Sequence, residues 1–345
     1  MTGPVSENDS NIEKLLNQYD TLEKRISLIE ARLGAADIPV RKPQEDQEFD
    51  ISFGKGSDIE VKIGSHGLAW LGNIVMIFGI MFLMTYAQNL GYSLLPSILG
   101  YLLAGSIFLV AHKIRKSLSH LDFMLNFSGY ILVFYVTLRL HFFTPDPVIG
   151  KLWIGLAMIL ILIVTLVGMA RRKESEFLAT LAIIFLVATA LFSGVTHVTL
   201  ALLVSAAAAS AFLFLWKEWR YLLMVSLFLV YISHLMWLMG NPILGNPFGV
   251  VDSHQNNLYY LFAYVAIYAF MTLAPRKESI PERFYLSLVI WNAISFMLLV
   301  LMVVLAFYEE SYAGIFAVIT VICLGYSVVL YKRGTREFIP ALFAC

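Results

Sequence analysis

The fold is decided by residues 152–173, which read LWIGLAMILILIVTLVGMARRK. The segment 152–170 carries no charged side chain, and Arg171-Arg172-Lys173 follows it directly. At about 1.5 Å rise per residue, a helix over this segment is about 28 Å long, which matches a bilayer hydrocarbon core roughly 30 Å thick. The stretch therefore predicts a helix that crosses a membrane and ends in a basic loop.

Apolar segments of this kind recur through most of the 345-residue chain. Hydrophobic residues make up 59% of the sequence and charged residues 14%, whereas soluble domains carry about 25% charged residues. We predict an all-α membrane bundle at residues 67–333, with ten spanning helices in five hairpins. The expected helices are 68–87, 93–112, 121–141, 152–170, 176–193, 197–215, 220–239, 257–274, 284–307 and 312–331.

Basic residues of the apolar region fall almost entirely on one side of this predicted topology. The loops after every second helix contain Lys113, Arg115, Lys116, Arg171, Arg172, Lys173, Lys217, Arg220, Arg276, Lys277, Arg283, Lys332, Arg333 and Arg336. The opposite loops contain Arg139 and Lys151 alone. Because basic loops stay on the cytoplasmic side, both chain ends are expected in the cytoplasm.

A polar segment precedes the apolar region. Within residues 1–34, apolar side chains alternate in steps of three and four from Ile12 to Leu33, which predicts a short cytoplasmic coiled coil. Self-association or a helical partner through residues 12–33 is one interpretation, and an amphipathic helix lying on lipid is the other. Residues 35–66 mix proline, glycine and charge, and we predict a flexible linker and juxtamembrane segment there. The apolar tail 334–345 resembles the first turns of a truncated further helix, and a tail that lies at the membrane interface is the alternative.

The composition excludes several classes of protein. Formal net charge is +0, so no basic excess indicates a nucleic-acid partner, and the expected partner is the lipid bilayer. The two cysteines, Cys323 and Cys345, indicate neither a disulfide framework nor a metal cluster. We find no motif for a cofactor or for hydrolytic catalysis, and we predict none.

Part of the sequence resembles a known family. The residues that carry the likeness are Glu60-Val61-Lys62-Ile63-Gly64, Trp70-Leu71-Gly72, Gly79, Phe82-Leu83-Met84-Thr85-Tyr86-Ala87, Gly91 and Pro96. They resemble the bacterial predicted membrane proteins called domain of unknown function 2339, mainly over residues 12–115. This chain has Thr85 where that family tends to place a lysine. The resemblance implies a bacterial inner-membrane protein and brings no activity or catalytic residues.

The third predicted helix is the most polar. Asn126, Tyr130, Thr137 and His141 fall within about 60° of one another at 100° per residue, which indicates a helix that edges an aqueous cavity or is surrounded by other helices. Arg139 is the one basic side chain expected within a span. It is a candidate solute contact, with snorkelling to the headgroups or structural pairing as the alternatives.

Helices seven to nine supply the remaining candidates. His234 lies beside a stripe of Ser226, Ser233 and Trp237, while Tyr260, Tyr264 and Tyr268 stack on successive turns of helix eight. Asn292 lies in a polar group on helix nine. Ordinary interhelical hydrogen bonding would explain these residues equally well. The predicted solute path comprises Asn126, Tyr130, Arg139, His141, His234, Tyr264 and Asn292.

Three functions follow from these patterns. The preferred hypothesis is a membrane protein of unknown activity that moves or binds a small or amphipathic solute. The second is a non-catalytic envelope scaffold assembled through the coiled coil. The third, a transferase acting on lipid-linked substrates, would require convergence of several residues at the outer face, namely His141, Asp252, His254, Glu309 and Glu310.

Overall fold

The computed structural model describes residues 67–91, 94–142, 147–251, 257–274, 280–308, 310–334, 337, 339 and 341. The coiled coil predicted at 12–33 and the linker predicted at 35–66 lie outside these residues, and so does most of the tail 334–345. Within the described part of the chain every long element is an α-helix, and none is a strand.

Ten α-helices follow one another within the described part of the chain. They are α1 (Leu68–Asn89), α2 (Leu95–Ile114), α3 (Ser119–Arg139), α4 (Leu152–Lys173), α5 (Glu176–Phe192), α6 (Thr196–Lys217), α7 (Arg220–Leu238), α8 (Asn257–Leu273), α9 (Glu282–Phe307) and α10 (Tyr312–Lys332). The prediction of an all-helical bundle is confirmed, and each helix lies within a few residues of its predicted bounds.

Eight of these helices are long and apolar enough to cross a membrane. The other two, α5 and α8, have 17 residues each, so they are about 26 Å long, at the lower end of the range for a spanning helix. Helix α5 is an interior helix that is buried along most of its length, whereas α8 buries Tyr264 and Tyr268 and leaves Tyr259 exposed. A helix surrounded by protein is not required to match the thickness of the lipid.

The cytoplasm-facing loops predicted after α4 and α6 are tight turns with a shared design. Glu174 and Glu218 follow the last helical residue in the left-handed conformation, with φ of 51° and 61°. This conformation turns the chain away from the helix axis and ends the helix. The next helix begins at once, and the Ser175 hydroxyl caps α5 by accepting from the Leu178 N–H at 3.3 Å.

Two main cores hold the bundle together, and a third, much smaller cluster consists of Val289, Leu330 and Ala341. The larger core is built mainly from α4–α9, with Phe134 and Leu138 contributed by α3. A smaller core joins α1, α2 and α3 around Met84, Leu132 and Val136. Helix α10 lies at the periphery, packs sparsely against α9, and buries only a small part of its surface.

Small residues permit the closest helix approaches, as the sequence predicts. In α2, Gly100 and Ala104 are buried, and a Cβ atom built on Gly100 would lie 2.5 Å from Val136 Cγ2 and 2.7 Å from Met84 Cε. In α6, Ala206 and Ala207 are fully buried in the larger core. Small side chains at these positions allow the backbones of neighbouring helices to approach closely and to pack without leaving a cavity.

Two details differ from expectation. Helix α3 ends at Arg139, so His141 lies in the turn that follows the helix and not on the polar helical face. Trp219 and Trp237 lie near helix ends, where tryptophan commonly anchors a helix at the membrane interface, but both are buried in the bundle, whereas Trp153 is 70% exposed. Trp219 and Trp237 therefore stabilise the core and do not anchor it in the headgroups.

Candidate functional site

The polar residues of α7, α8 and α9 meet in the interior of the larger core. We call this group the α7–α9 polar cluster, and every member is buried. Its members are Ser226, Tyr231, His234, Tyr264, Tyr268 and Asn292. They converge because α9 packs against both α7 and α8, which brings the polar positions of the three helices together.

Two hydrogen-bonded pairs link the helices of the cluster. The Tyr231 hydroxyl donates to Asn292 Oδ1 at 2.7 Å, and Asn292 Nδ2 donates to the Val265 carbonyl at 3.2 Å. Ser226 Oγ and the Tyr268 hydroxyl lie 3.0 Å apart. The amide of Asn292 thus ties α9 to both α7 and α8.

His234 occupies the most enclosed position of the cluster. Its Nδ1 lies 3.4 Å from the Tyr264 hydroxyl, which also donates to the Leu200 carbonyl at 3.4 Å. The rings of Tyr264 and Trp237 pack edge-on against the imidazole. His234 Nε2 is buried and has no hydrogen-bond partner within the described part of the chain. A buried polar atom of this kind is uncommon in folded proteins and is left available to a small polar group or a water.

A cavity of about 320 Å³ adjoins this cluster between α8, α9 and α10; we call it the α8–α10 cavity. Its walls are mainly apolar and include Phe262, Phe296 and Ile319. Tyr268 and Asn292 line it as well, so the cavity and the cluster share two side chains. Its size falls within the range of small-molecule sites, about 300–1,000 Å³, which combine apolar walls with a few polar groups.

Arg139 lies at the other side of the bundle, between α1 and α3. Only 4% of its surface is exposed. Its Nη1 donates to Thr85 Oγ1 at 3.1 Å and to the Tyr135 hydroxyl at 3.0 Å, and its Nη2 donates to Gln88 Oε1. The guanidinium therefore points into the protein, and it does not snorkel to the membrane surface.

The partners of Arg139 are all neutral. Among the described residues its guanidinium has no carboxylate within ion-pair distance. A guanidinium has five N–H groups, and the three hydrogen bonds engage both on Nη1 and one on Nη2. Within the described residues, Nε–H and the second Nη2–H have no protein acceptor. Buried charge is costly when unpaired, so this site favours an anion.

A second cavity, the α3–α5 cleft, reaches Tyr135 and Leu138 on α3. It has a volume of about 480 Å³ and is lined along α3 from Phe127 to Leu138 and along α5 from Phe177 to Phe192. The ring of Tyr135, whose hydroxyl accepts from Arg139, forms part of its wall. The walls are otherwise apolar, apart from Thr180.

The other predicted residues of α3 make local contacts instead of forming one face. Asn126 Nδ2 donates to the backbone and side-chain oxygens of Asp122 at 2.8 and 2.7 Å. The Tyr130 ring packs against Phe108. His141 Nδ1 lies 2.6 Å from the Ile149 carbonyl, which fastens the loop between α3 and α4. The structure therefore brings together His234, Tyr264 and Asn292, and it places Arg139, Asn126, Tyr130 and His141 elsewhere.

Sequence analysis missed two members of these sites. Tyr231 holds Asn292, and its position three residues before His234 on the same helix was the available signal. Gln88 is an acceptor for Arg139, and its position three residues after Thr85 would place both on one face of α1. Neither spacing is a distinctive signal, because α7 and α1 each carry several other aromatic side chains.

At the predicted cytoplasmic ends of α4 and α6, charged and aromatic side chains form an interfacial group. Arg171 lies over the Trp216 ring with its Cζ 4.0 Å from the ring centroid. Lys217 Nζ lies 2.6 Å from Glu174 Oε1, and this hydrogen bond, with the lysine charge, lowers the pKa of Glu174. The pair keeps Glu174 ionised to more acidic pH. It stabilises the turn fully at pH values above the ordinary pKa of a glutamate, and this stabilisation is lost as the pH falls through the lowered pKa of Glu174. Such groups anchor helix ends at the headgroup level.

The outer-face residues required for a transferase do not assemble within the described residues. Asp252, His254 and Glu309 lie outside them, and His141 is bonded to its own loop. No three His, Cys, Asp or Glu side chains in the described ranges are placed to hold a metal ion.

Comparisons with models of protein families, with curated proteins and with solved structures find no match to this chain. The fold and the sites therefore define its class by themselves. Its described residues form an all-helical, membrane-type bundle that contains a buried polar cluster and mainly apolar cavities.

Proposed function

We propose that this chain is a multi-pass protein of the bacterial inner membrane that binds or moves a small or amphipathic solute. The observation that carries the proposal is the α8–α10 cavity, whose largely apolar lining also includes the polar side chains of Tyr268 and Asn292. An apolar site with few oriented polar groups suits a solute that has both characters.

The route to this cavity supports an amphipathic solute. Helix α10 is the cavity's outer wall, and it is the helix with the smallest buried share among the candidate spans. Its buried residues are only Ile319, Ser327 and Leu330. A wall held by so few contacts separates from α8 and α9 at low cost, which gives a solute lateral access from the bilayer.

Substitution of the proposed path residues tests this function in cells that depend on the protein. Alanine at Asn292, at His234 or at Arg139 should impair growth or uptake, because each change removes a buried polar side chain of the proposed path. Leu298→Ala, on the lipid-facing side of α9, is the matched control and should behave like the wild type. Protein levels are measured by immunoblot, so that loss of the protein is distinguished from loss of activity. Wild-type growth and uptake in all three polar variants would refute the proposal.

The scaffold hypothesis is the alternative, and the heptad pattern at residues 12–33 favours it. It expects that deletion of residues 1–34 abolishes function while the three alanine variants remain active. The solute hypothesis expects the three alanine variants to lose more function than the deletion of residues 1–34. In both hypotheses, self-association through the coiled coil is a proposal.

Ten spans with both termini in the cytoplasm form the proposed topology. Alkaline phosphatase requires disulfides that form only outside the cytoplasm. Fused after Gly150 or Gly245 it should therefore be active, and fused after Lys116 or Glu218 it should be inactive. Enzyme activity in whole cells is the measurement, and green fluorescent protein at the same four positions should give the opposite pattern. Active phosphatase after Lys116 would overturn this orientation.

A further inference from the structure

A buried cation and an apolar cleft share one side chain in the α1, α3 and α5 region. Tyr135 contributes its ring to the α3–α5 cleft and its hydroxyl to Arg139. The α7–α9 polar cluster and the α8–α10 cavity share no residue with this place. It is a second site, and it does not depend on the α8–α10 cavity that carries the proposed function.

The cleft exists because α3 and α5 meet through aromatic rings and not through close backbone contact. Phe134 and Phe185 stack with their centroids 4.1 Å apart, and Phe127 and Phe177 lie 5.4 Å apart. From Phe127 to Leu138 the cleft follows α3 for about 17 Å at about 1.5 Å per residue. A single extended acyl chain fits a narrow apolar space of this length.

The charge of Arg139, which hydrogen-bonds the cleft-lining Tyr135, selects the headgroup. Arg139 is nearly fully buried, contacts only neutral acceptors within the described residues, and retains Nε–H and one Nη2–H. These two groups lie side by side on the planar guanidinium and match the two oxygens of a carboxylate. Thr85 is exposed at the edge of the site, so a headgroup has access to the guanidinium.

We propose that the α3–α5 cleft binds a long-chain fatty acid, with its acyl chain between α3 and α5 and its carboxylate on Arg139. A single cleft accommodates one chain, which favours a fatty acid over a two-chain phospholipid. A carboxylate on the free N–H groups also supplies the counter-charge that the neutral neighbours of Arg139 do not provide.

Binding of radiolabelled oleate to the purified full-length protein in maltoside micelles tests this proposal. Oleyl alcohol has the same chain without the charge, so oleate should bind about tenfold more tightly to the wild type. Arg139→Gln should reduce oleate affinity to that of the alcohol, and Arg139→Lys should retain part of the difference. Lys217→Gln, a loss of positive charge elsewhere, is the matched control and should change neither ligand.

A cleft-filling change tests the position of the chain. Ala188 lines the cleft, and Ala188→Trp should weaken oleate and oleyl alcohol alike. Equal affinity of the wild type for the two ligands would overturn the proposal, and this comparison requires no variant to fold. Tighter binding of dioleoyl-phosphatidylglycerol than of oleate would also overturn it, because the occupant would then be a bilayer lipid.

Discussion

The Gly100→Leu variant is expected to lose about 3 kcal/mol of stability, because it inserts a side chain where three helices meet. A Cβ atom at this position already lies 2.5 Å from Val136 and 2.7 Å from Met84. Both neighbours belong to the smaller core and are fully buried. Neither Met84 nor Val136 can make room without moving α1 or α3. The expected loss of stability is therefore that of overpacking a closed helix interface.

Thermal unfolding in maltoside, followed by tryptophan fluorescence, measures this loss. Gly105→Leu in the same helix is the matched control, because nothing lies within 4 Å of a Cβ atom built there. Since leucine favours a helix more than glycine does, by up to about 1 kcal/mol, this variant should be as stable as the wild type or slightly more so. Equal losses in the two variants would show that α2 does not approach its neighbours closely at Gly100.

Tyr264→Ala is expected to cost about 3 kcal/mol, because the ring is fully buried in the larger core and its removal leaves a cavity. Tyr264→Phe removes only the hydroxyl, with its 3.4 Å contacts to His234 and Leu200, and should cost about 0.6 kcal/mol. Unfolding in the same detergent measures both values. The difference separates the packing role of the ring from the hydrogen-bonding role of the hydroxyl.

Tyr259→Ala provides the control on the same helix. Tyr259 is 73% exposed, so its truncation creates no internal cavity and should leave stability almost unchanged. If Tyr264→Phe proved as damaging as Tyr264→Ala, the hydrogen bonds of the polar cluster would contribute more than the packing, contrary to this expectation.

The helical content and the order of the helices follow from the sequence because the bilayer imposes one simple requirement. Every backbone polar group must be bonded within its own segment, so each long apolar stretch becomes a helix. The stretch from Leu152 to Ala170 illustrates this: its observed helix begins at the predicted residue and continues through Lys173. Prediction fails at ends where polar and apolar residues alternate, as in α3, whose last helical residue is Arg139 and not His141.

The sites were less predictable, because they depend on which helices become neighbours. The sequence identifies His234 and Asn292 as polar residues in apolar spans, but nothing in it pairs Asn292 with Tyr231. Likewise, Arg139 is evident as an unusual charge, whereas its acceptors Thr85 and Gln88 lie more than 50 residues away. Shape complementarity between helix faces decides which helices pack together, and because these faces all have a similar composition, the sequence does not reveal the pairs.

The smaller core of α1, α2 and α3 bears on how the protein is made. Because these helices are consecutive, all of the side chains around Leu132 are synthesised before α4 is. Folding domains assemble from the amino terminus during synthesis. Helices α1, α2 and α3 can therefore assemble in the membrane first, and the later helices then pack against them.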